Sequence, residues 1–225
     1  MSQPVIPPKP NALAEIFGVA KPVIGVVHLA PLPGAPRYED EAVEEIYRRG
    51  VQDAVAMADG GIDGIIVENA SDLPFARPEA IGPETVAALA CACLRVRDAV
   101  GVPLGITCVA NGAVAGLAVA KAVGASWVRV NQFVNAYVAN EGLLSGAAGE
   151  ALRYRSAIRA KDVRIFADVH VKFGAHALTA DRTIPEQARD AEFFDADVVI
   201  ASGQRTGSPT PVEEIRAVRE GTVLP

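Results

Sequence analysis

The chain has 225 residues, half of them hydrophobic, and a single domain of this length buries roughly three quarters of the surface its unfolded chain exposes, so one substantial core is expected. A formal net charge of −6 without any Lys/Arg cluster leaves no footprint for a phosphate backbone, which excludes a nucleic-acid partner. Aromatics are only 5% while Ala, Val, Gly and Ile abound, a composition that suits parallel strands buried on both faces beneath closely packed helices.

Met1 to Pro10 lacks the basic-then-apolar layout of a signal peptide. The longest uncharged apolar stretches, such as Val86 to Leu94, fall well short of the ~20 residues a membrane helix needs. The expectation is a cytoplasmic protein with no transmembrane segment. Residues 1–20 read as a leader in which Asn11 to Phe17 forms a short helix, either capping the N-terminal mouth of a barrel or loosely attached.

Over residues 21–225 a short apolar run, a polar residue, a loop and an amphipathic helix recur, which is a βα alternation. The strand candidates are Val23 to Leu29, Gly64 to Asn69, Leu104 to Val109, Trp127 to Asn131, Arg164 to Val169 and Val198 to Ser202, and Thr222 to Leu224 begins a seventh. After the first strand, Val43, Ile46, Tyr47, Val51, Ala54, Val55 and Ala58 form one helical stripe closed by Gly60-Gly61. Pro83 opens the next helix, where a missing N–H costs nothing. Thr210-Pro211-Val212-Glu213 reads as a capping box, with Gly221 closing that helix. Cys91, Cys93 and Cys108 lack metal-type spacing and read as small core residues of a reduced protein.

Strand starts about 25 to 40 residues apart allow right-handed crossovers that place every strand beside its predecessor. The competing architecture is a doubly wound open sheet, but no G-x-G-x-x-G follows the first strand. The fold class expected is therefore α/β, an incomplete (β/α) TIM-type barrel with about six to seven of its eight parallel strands.

In such a barrel chemistry sits where the strands end. Those ends carry His28, Glu68 with Asn69, Arg129 with Asn131, Asp168 with His170 and Lys172, and Ser202 with Gly203. Side chains alternate along a strand, so Arg129 and Asn131 share one face, as do Asp168 and His170. If that face is the interior, Arg129 needs a carboxylate partner, and Glu68 and Asp168 are the candidates, whether for chemistry or as a salt-bridged core layer. His28 is either a hydrogen-bonded interior histidine or a catalyst. His176 reads as solvated. Lys172 could anchor an anion, form a Schiff base or simply face solvent. His28, Glu68, Asp168 and His170 lack the close spacing of a metal site, so neither a metal nor a cofactor is expected.

Gly25-Val26-Val27-His28-Leu29-Ala30-Pro31-Leu32-Pro33-Gly34, Gly64-Ile65-Ile66-Val67-Glu68-Asn69, Val128-Arg129-Val130-Asn131, Arg153-Tyr154-Arg155, Ala167-Asp168-Val169-His170-Val171-Lys172 and Ser202-Gly203-Gln204-Arg205-Thr206-Gly207, in this order and spacing, closely resemble the BtpA/SgcQ family from about Lys21 onwards. The resemblance implies a barrel similar to the ribulose-phosphate-binding group, whose enzymes act on phosphorylated small molecules. It also implies a link to photosystem I biogenesis in cyanobacterial members, while others sit in sugar-utilisation contexts. Two departures stand out. Ala110-Asn111-Gly112 keeps only the asparagine of a motif that in the family also carries a basic residue and an aspartate, and the sequence stops at Val223-Leu224-Pro225, before the Gly-rich loops that commonly hold phosphate.

The functional expectation is an enzyme acting on a small polar, phosphorylated metabolite. Glu68 or Asp168 would be the acid or base, with Lys172 and His28 as further catalytic candidates. Asn69, Asn111, Arg129, Asn131, His170, Ser202, Gly203 and Thr206 would bind the substrate. The alternatives are a non-catalytic accessory or assembly protein, and an inactive truncated barrel. Unpaired edges on a partial barrel lead to an expectation of homo-oligomers or of a partner covering them.

Overall fold

A computed structural model of the protein describes residues 8–225. Six parallel strands, β1 (Ile24–His28), β2 (Gly64–Glu68), β3 (Leu104–Thr107), β4 (Trp127–Val130), β7 (Arg164–Val169) and β8 (Val198–Ala201), form one curled sheet in that order. The strand order never reverses, which decides for a barrel wall over a doubly wound sheet. Between β4 and the next helix the chain inserts an antiparallel hairpin of β5 (Ala136–Ala139) and β6 (Gly142–Ser145), outside the curled sheet.

The helices are α1 (Ala12–Phe17), α2 (Val43–Asp59), α3 (Pro83–Ala99), α4 (Ala113–Val123), α5 (Ala148–Ala157), α6 (Ile184–Phe193) and α7 (Val212–Gly221). On the outside of the sheet, Val27, Ile65, Val67, Ile106, Val128 and Ile165 meet Leu89, Val96, Leu117 and Ala191 of the helices in one continuous buried layer. These alternate with inward residues, as a pleated strand requires.

The inner face has its own apolar cluster at the N-terminal end. Ile66, Trp127, Phe166 and Val198 are covered there by Ala12, Leu13, Ile16 and Phe17 of α1. Trp127 stacks on Phe166 at 5.4 Å and receives the edge of Phe17 at 5.1 Å. The strands leave room for the indole by carrying glycine opposite it, since a Cβ on Gly105 would stand 2.0 Å from Trp127 Cε2 and one on Gly64 would stand 2.5 Å from Phe17 Cε1. At the same end the buried Asp197 carboxylate accepts the Ile165 N–H at 2.8 Å and gathers Lys9 at 3.3 Å, Arg155 at 3.5 Å and Arg164 at 3.6 Å.

Two expectations are corrected. No strand forms at Thr222 to Leu224. Only Pro225 O accepts a rung, from Val199 N–H at 3.0 Å, while Glu192 takes the Thr222 hydroxyl and the Val223 N–H away from any ladder. The capping box is not at Thr210 either. Among the described residues neither Thr210 nor Glu213 makes a side-chain hydrogen bond, so α7 starts after Pro211 without a side-chain cap, while the next residue, Glu214, turns back to accept the Gly203 N–H at 2.9 Å. The capping box of this chain is on α6, where Thr183 and Glu186 satisfy each other's backbone N–H groups.

Gly105→Ala should destabilise the protein by about 1–3 kcal/mol through overpacking against Trp127, read from urea unfolding midpoints. An unchanged midpoint would contradict the inner plug described above.

Candidate functional site

The ladder sets the site. His28 pairs with Glu68, Glu68 with Thr107 and Thr107 with Arg129, so one row of side chains crosses four strands on the inner face. Between β4 and β7 the row steps, because Arg129 is opposite Phe166 rather than Asp168. The guanidinium therefore reaches towards the mouth to meet Asp168 two residues further along.

That meeting is a two-bond fork, with Nε to Oδ1 and Nη2 to Oδ2 both 2.9 Å. The arginine side chain is 16% exposed and the aspartate 0%, so the pair is largely out of water. Asp168 holds the guanidinium proton more tightly than usual, against the opposing effect of burial, and Glu68 adds to it. Asn131 Nδ2 lies 3.4 Å from Asp168 Oδ2, completing the cover of that carboxylate. Both Asp168 oxygens are thus committed. Glu68, half-buried, makes no side-chain hydrogen bond among the described residues, and neither does the exposed His28 beside it. The Thr107 hydroxyl in the same row is buried and unpartnered.

Other expected site residues serve the loops. Asn69 is buried and exchanges bonds with Val109, accepting its N–H at 2.8 Å and donating to its carbonyl at 3.3 Å. It also donates to Asp72 at 2.8 Å, and Asp72 accepts the Leu32 N–H at 2.8 Å, joining the loops after β1, β2 and β3. Burial pushes the Asp72 carboxyl up despite these two donors. Asn111, in the left-handed region at φ 55°, accepts the Gln132 N–H at 2.8 Å and donates to Ser145 O at 3.3 Å, fixing the hairpin base. Ser202 accepts the Lys172 N–H at 3.1 Å, Gly203 donates to Glu214, and Thr206 is exposed on the loop beyond.

His176 does not stand in solvent. Its ring stacks on His170 at 4.0 Å between centroids and on Tyr137 at 5.6 Å, and its Nε2 is 2.8 Å from Val171 O. The cause is the hairpin, since Val138 and Ala175 exchange backbone bonds of 3.1 and 2.8 Å and draw the loop after β7 beneath β5. The pattern Ala136-Tyr137-Val138-Ala139, a turn at Asn140-Glu141-Gly142, then Leu143-Leu144 carried that hairpin signal. Asp72, Gln132, Glu214 and Tyr137 were not singled out from the sequence, and nothing in their local spacing marks them. No three His, Cys, Asp or Glu groups among the described residues could hold a metal ion, and no helix there is long and apolar enough to cross a membrane.

Residues 19–224 match the model of the BtpA family. The chain belongs to that family. Among its relatives is an uncharacterized protein of Archaeoglobus fulgidus, 40% identical over 205 residues that cover 91% of this chain and 80% of that one. The photosystem I biogenesis protein BtpA of Synechocystis is 39% identical over 203 residues, 90% of this chain and 69% of its own. Among solved structures, Rubisco of Pyrococcus horikoshii aligns with a TM-score of 0.49 at 18% identity, covering 92% of this chain and 44% of its own. L-talarate dehydratase of Polaromonas aligns with a TM-score of 0.45 at 15% identity, covering 94% and 46%. Likenesses this distant carry no argument about what a BtpA-family member does. The fold rests on its strand order.

Asp168→Asn should cost roughly 3–5 kcal/mol in urea unfolding, because it leaves a desolvated guanidinium without its counter-charge. Arg129→Met combined with Asp168→Leu should recover most of that loss. A second expectation concerns pH. Burial, with His176 next, holds His170 below the ordinary imidazole value and outweighs Glu214. The unfolded chain, at about 6.5 for histidine, then takes the proton first as pH falls. Stability should drop from about pH 6.5 downwards until the lower folded value is passed, and melting temperatures of His170→Gln should show a flatter profile there. Parallel profiles for the variant and the natural chain would refute the assignment.

Proposed function

We propose that the protein is an enzyme that moves a proton on a small polar, phosphorylated metabolite at the C-terminal mouth of its strands. The observation that supports this most is the inequality of the two carboxylates. Asp168 is sealed and saturated by Arg129 and Asn131, whereas Glu68, in the same row, keeps both oxygens free of protein partners among the described residues. Pairs of carboxylates held in different environments divide the work of acid–base catalysis between them.

In this reading Glu68 is the general acid or base and His28, its ladder neighbour, orients the substrate or relays the proton. Asp168 positions Arg129, whose Nη1 makes no protein hydrogen bond among the described residues and can meet an anionic group of the substrate. Lys172, at the loop after β7, adds a second cation. Asn131 and Thr107 line the same row and supply polar contacts, while Asn69 and Asn111 shape the loops around the bound molecule. Ser202, Gly203 and Thr206 form the far rim.

An accessory role in assembly is the second reading, and the name of the Synechocystis relative, a photosystem I biogenesis protein, favours it. β1 and β8 each pair on one side only among the described residues, and such edges invite association with another chain or a second copy. Light scattering separates the cases, since a monodisperse monomer speaks against the assembly reading.

Thermal-shift screening against phosphosugars and other small phosphate monoesters tests the enzymatic reading. A ligand at about a hundred times its Kd stabilises by about 2.7 kcal/mol, a rise on the order of 5–10 °C for a chain of this size. Glu68→Gln should retain that rise and lose turnover. If no phosphorylated compound raises the melting temperature, the reading is lost.

A further inference from the structure

We infer that the cleft between the tip of the β5–β6 hairpin and the loops after β7 and β8 is the oxyanion subsite that takes the phosphate-monoester end of the substrate. This deepens the function proposed above and rests on it for the identity of the ligand, though the subsite has its own geometry and its own test.

The cleft measures about 340 Å³, within the range of small-molecule sites and too small for a macromolecule. Its ionisable lining consists of His170, Lys172, His176 and Arg205, and no carboxylate lines it. Two of the chain's 21 Lys and Arg residues, Lys172 and Arg205, line it together with two of its three histidines, and none of its 27 acidic residues does. Of the nearby acids, Asp168 holds Arg129 and Glu214 accepts the Gly203 N–H, and Glu141, in the hairpin turn beside Asn140, is outside the lining.

The donors are also fixed before any ligand arrives. The Arg205 guanidinium lies over the Phe173 ring at 5.3 Å, which steadies its plane and leaves its N–H edge free. Among the described residues His170 Nδ1 is buried with no partner, a polar atom that costs stability unless something fills its bond. Among the described residues the backbone N–H groups of Gly174, Gln204 and Arg205 also have no protein acceptor.

Three ties hold the walls. The hairpin is bonded to the β7 loop through Val138 and Ala175, and the β7 loop to the β8 loop through Lys172 N–H to Ser202 Oγ at 3.1 Å and Phe173 N–H to Gln204 O at 3.3 Å. Gly174 permits the closeness, because a Cβ there would stand 2.1 Å from the Tyr137 ring. Phosphate needs such a pocket of convergent N–H and cationic donors. His170 lies two residues beyond Asp168, the partner of Arg129, so the cleft adjoins the polar end of β7.

The test uses histidine side-chain NMR on the full chain, titrated with inorganic phosphate, ribose 5-phosphate and ribose. Phosphate should move the ring signals of His170 and His176, and ribose should not. Arg205→Gln and Lys172→Gln should each weaken phosphate about tenfold, the effect of one charge-assisted hydrogen bond. Arg205 is exposed, so its loss leaves the fold intact. Glu68→Gln should bind phosphate as tightly as the natural chain.

The subsite is overturned if phosphate leaves both histidines unmoved, or if Arg205→Gln binds as the natural chain does. Ribose 5-phosphate that binds without disturbing these rings would also overturn it, while sparing the enzymatic reading. Phosphate binding as described, with ribose 5-phosphate no tighter and no phosphorylated compound turned over, keeps the subsite and removes that reading.

Discussion

A guanidinium placed inside a barrel wall must be answered by a carboxylate, and much of the mouth is organised by how Asp168 answers Arg129. Unpaired, either charge would cost several kcal/mol at that depth. The register sets Arg129 opposite Phe166, two residues short of Asp168 on β7, and the long arginine side chain spans that step to make the fork. Once Asp168 is spent on this pair it has little left for a substrate. Glu68, on the same inner face, has no such partner among the described residues.

The inner face is divided along its length. Its N-terminal half is dry, filled by Trp127, Phe166 and the α1 residues, and its C-terminal half is polar. Each half depends on the other. The apolar half keeps water from reaching the ion pair from below, and the loops above are tied down by Asn69, Asp72 and Asn111, whose amide and carboxyl groups replace backbone partners that short strands do not provide. Polar residues at strand ends thus divide into those that build the rim and those that look into it.

This division was only partly legible in the sequence. The βα alternation and the six strands follow from period-two patterning and from glycine and proline punctuation, which are local properties, whereas that patterning pairs Arg129 with Asn131 and Asp168 with His170 without fixing which face is the interior. Asn69 looked the same as Glu68 because both end one strand, and only parity against the ladder separates them. The stacking of His176 and the burial of Glu214 depend on contacts across the chain, with Tyr137 and Gly203, that no window of sequence contains. The hairpin was different. Its alternation and turn are present, but its apolar residues are few and its flanks short, so it is not among the expected strands. Thr210 does not cap α7, which begins at Val212 with Pro211 in the cap position.

The hairpin leaves β4 and returns before α5 without entering the ladder of the main sheet, so its length and sequence are uncoupled from strand register. Two backbone bonds at Val138 and the Asn111 side chain attach it to the rim, and both attachments are local. Ancestral or engineered exchange of Ala136 to Ser145 can therefore remodel the ceiling over the mouth, and with it the size and polarity of what fits, while the barrel staves and their buried charges stay where they are.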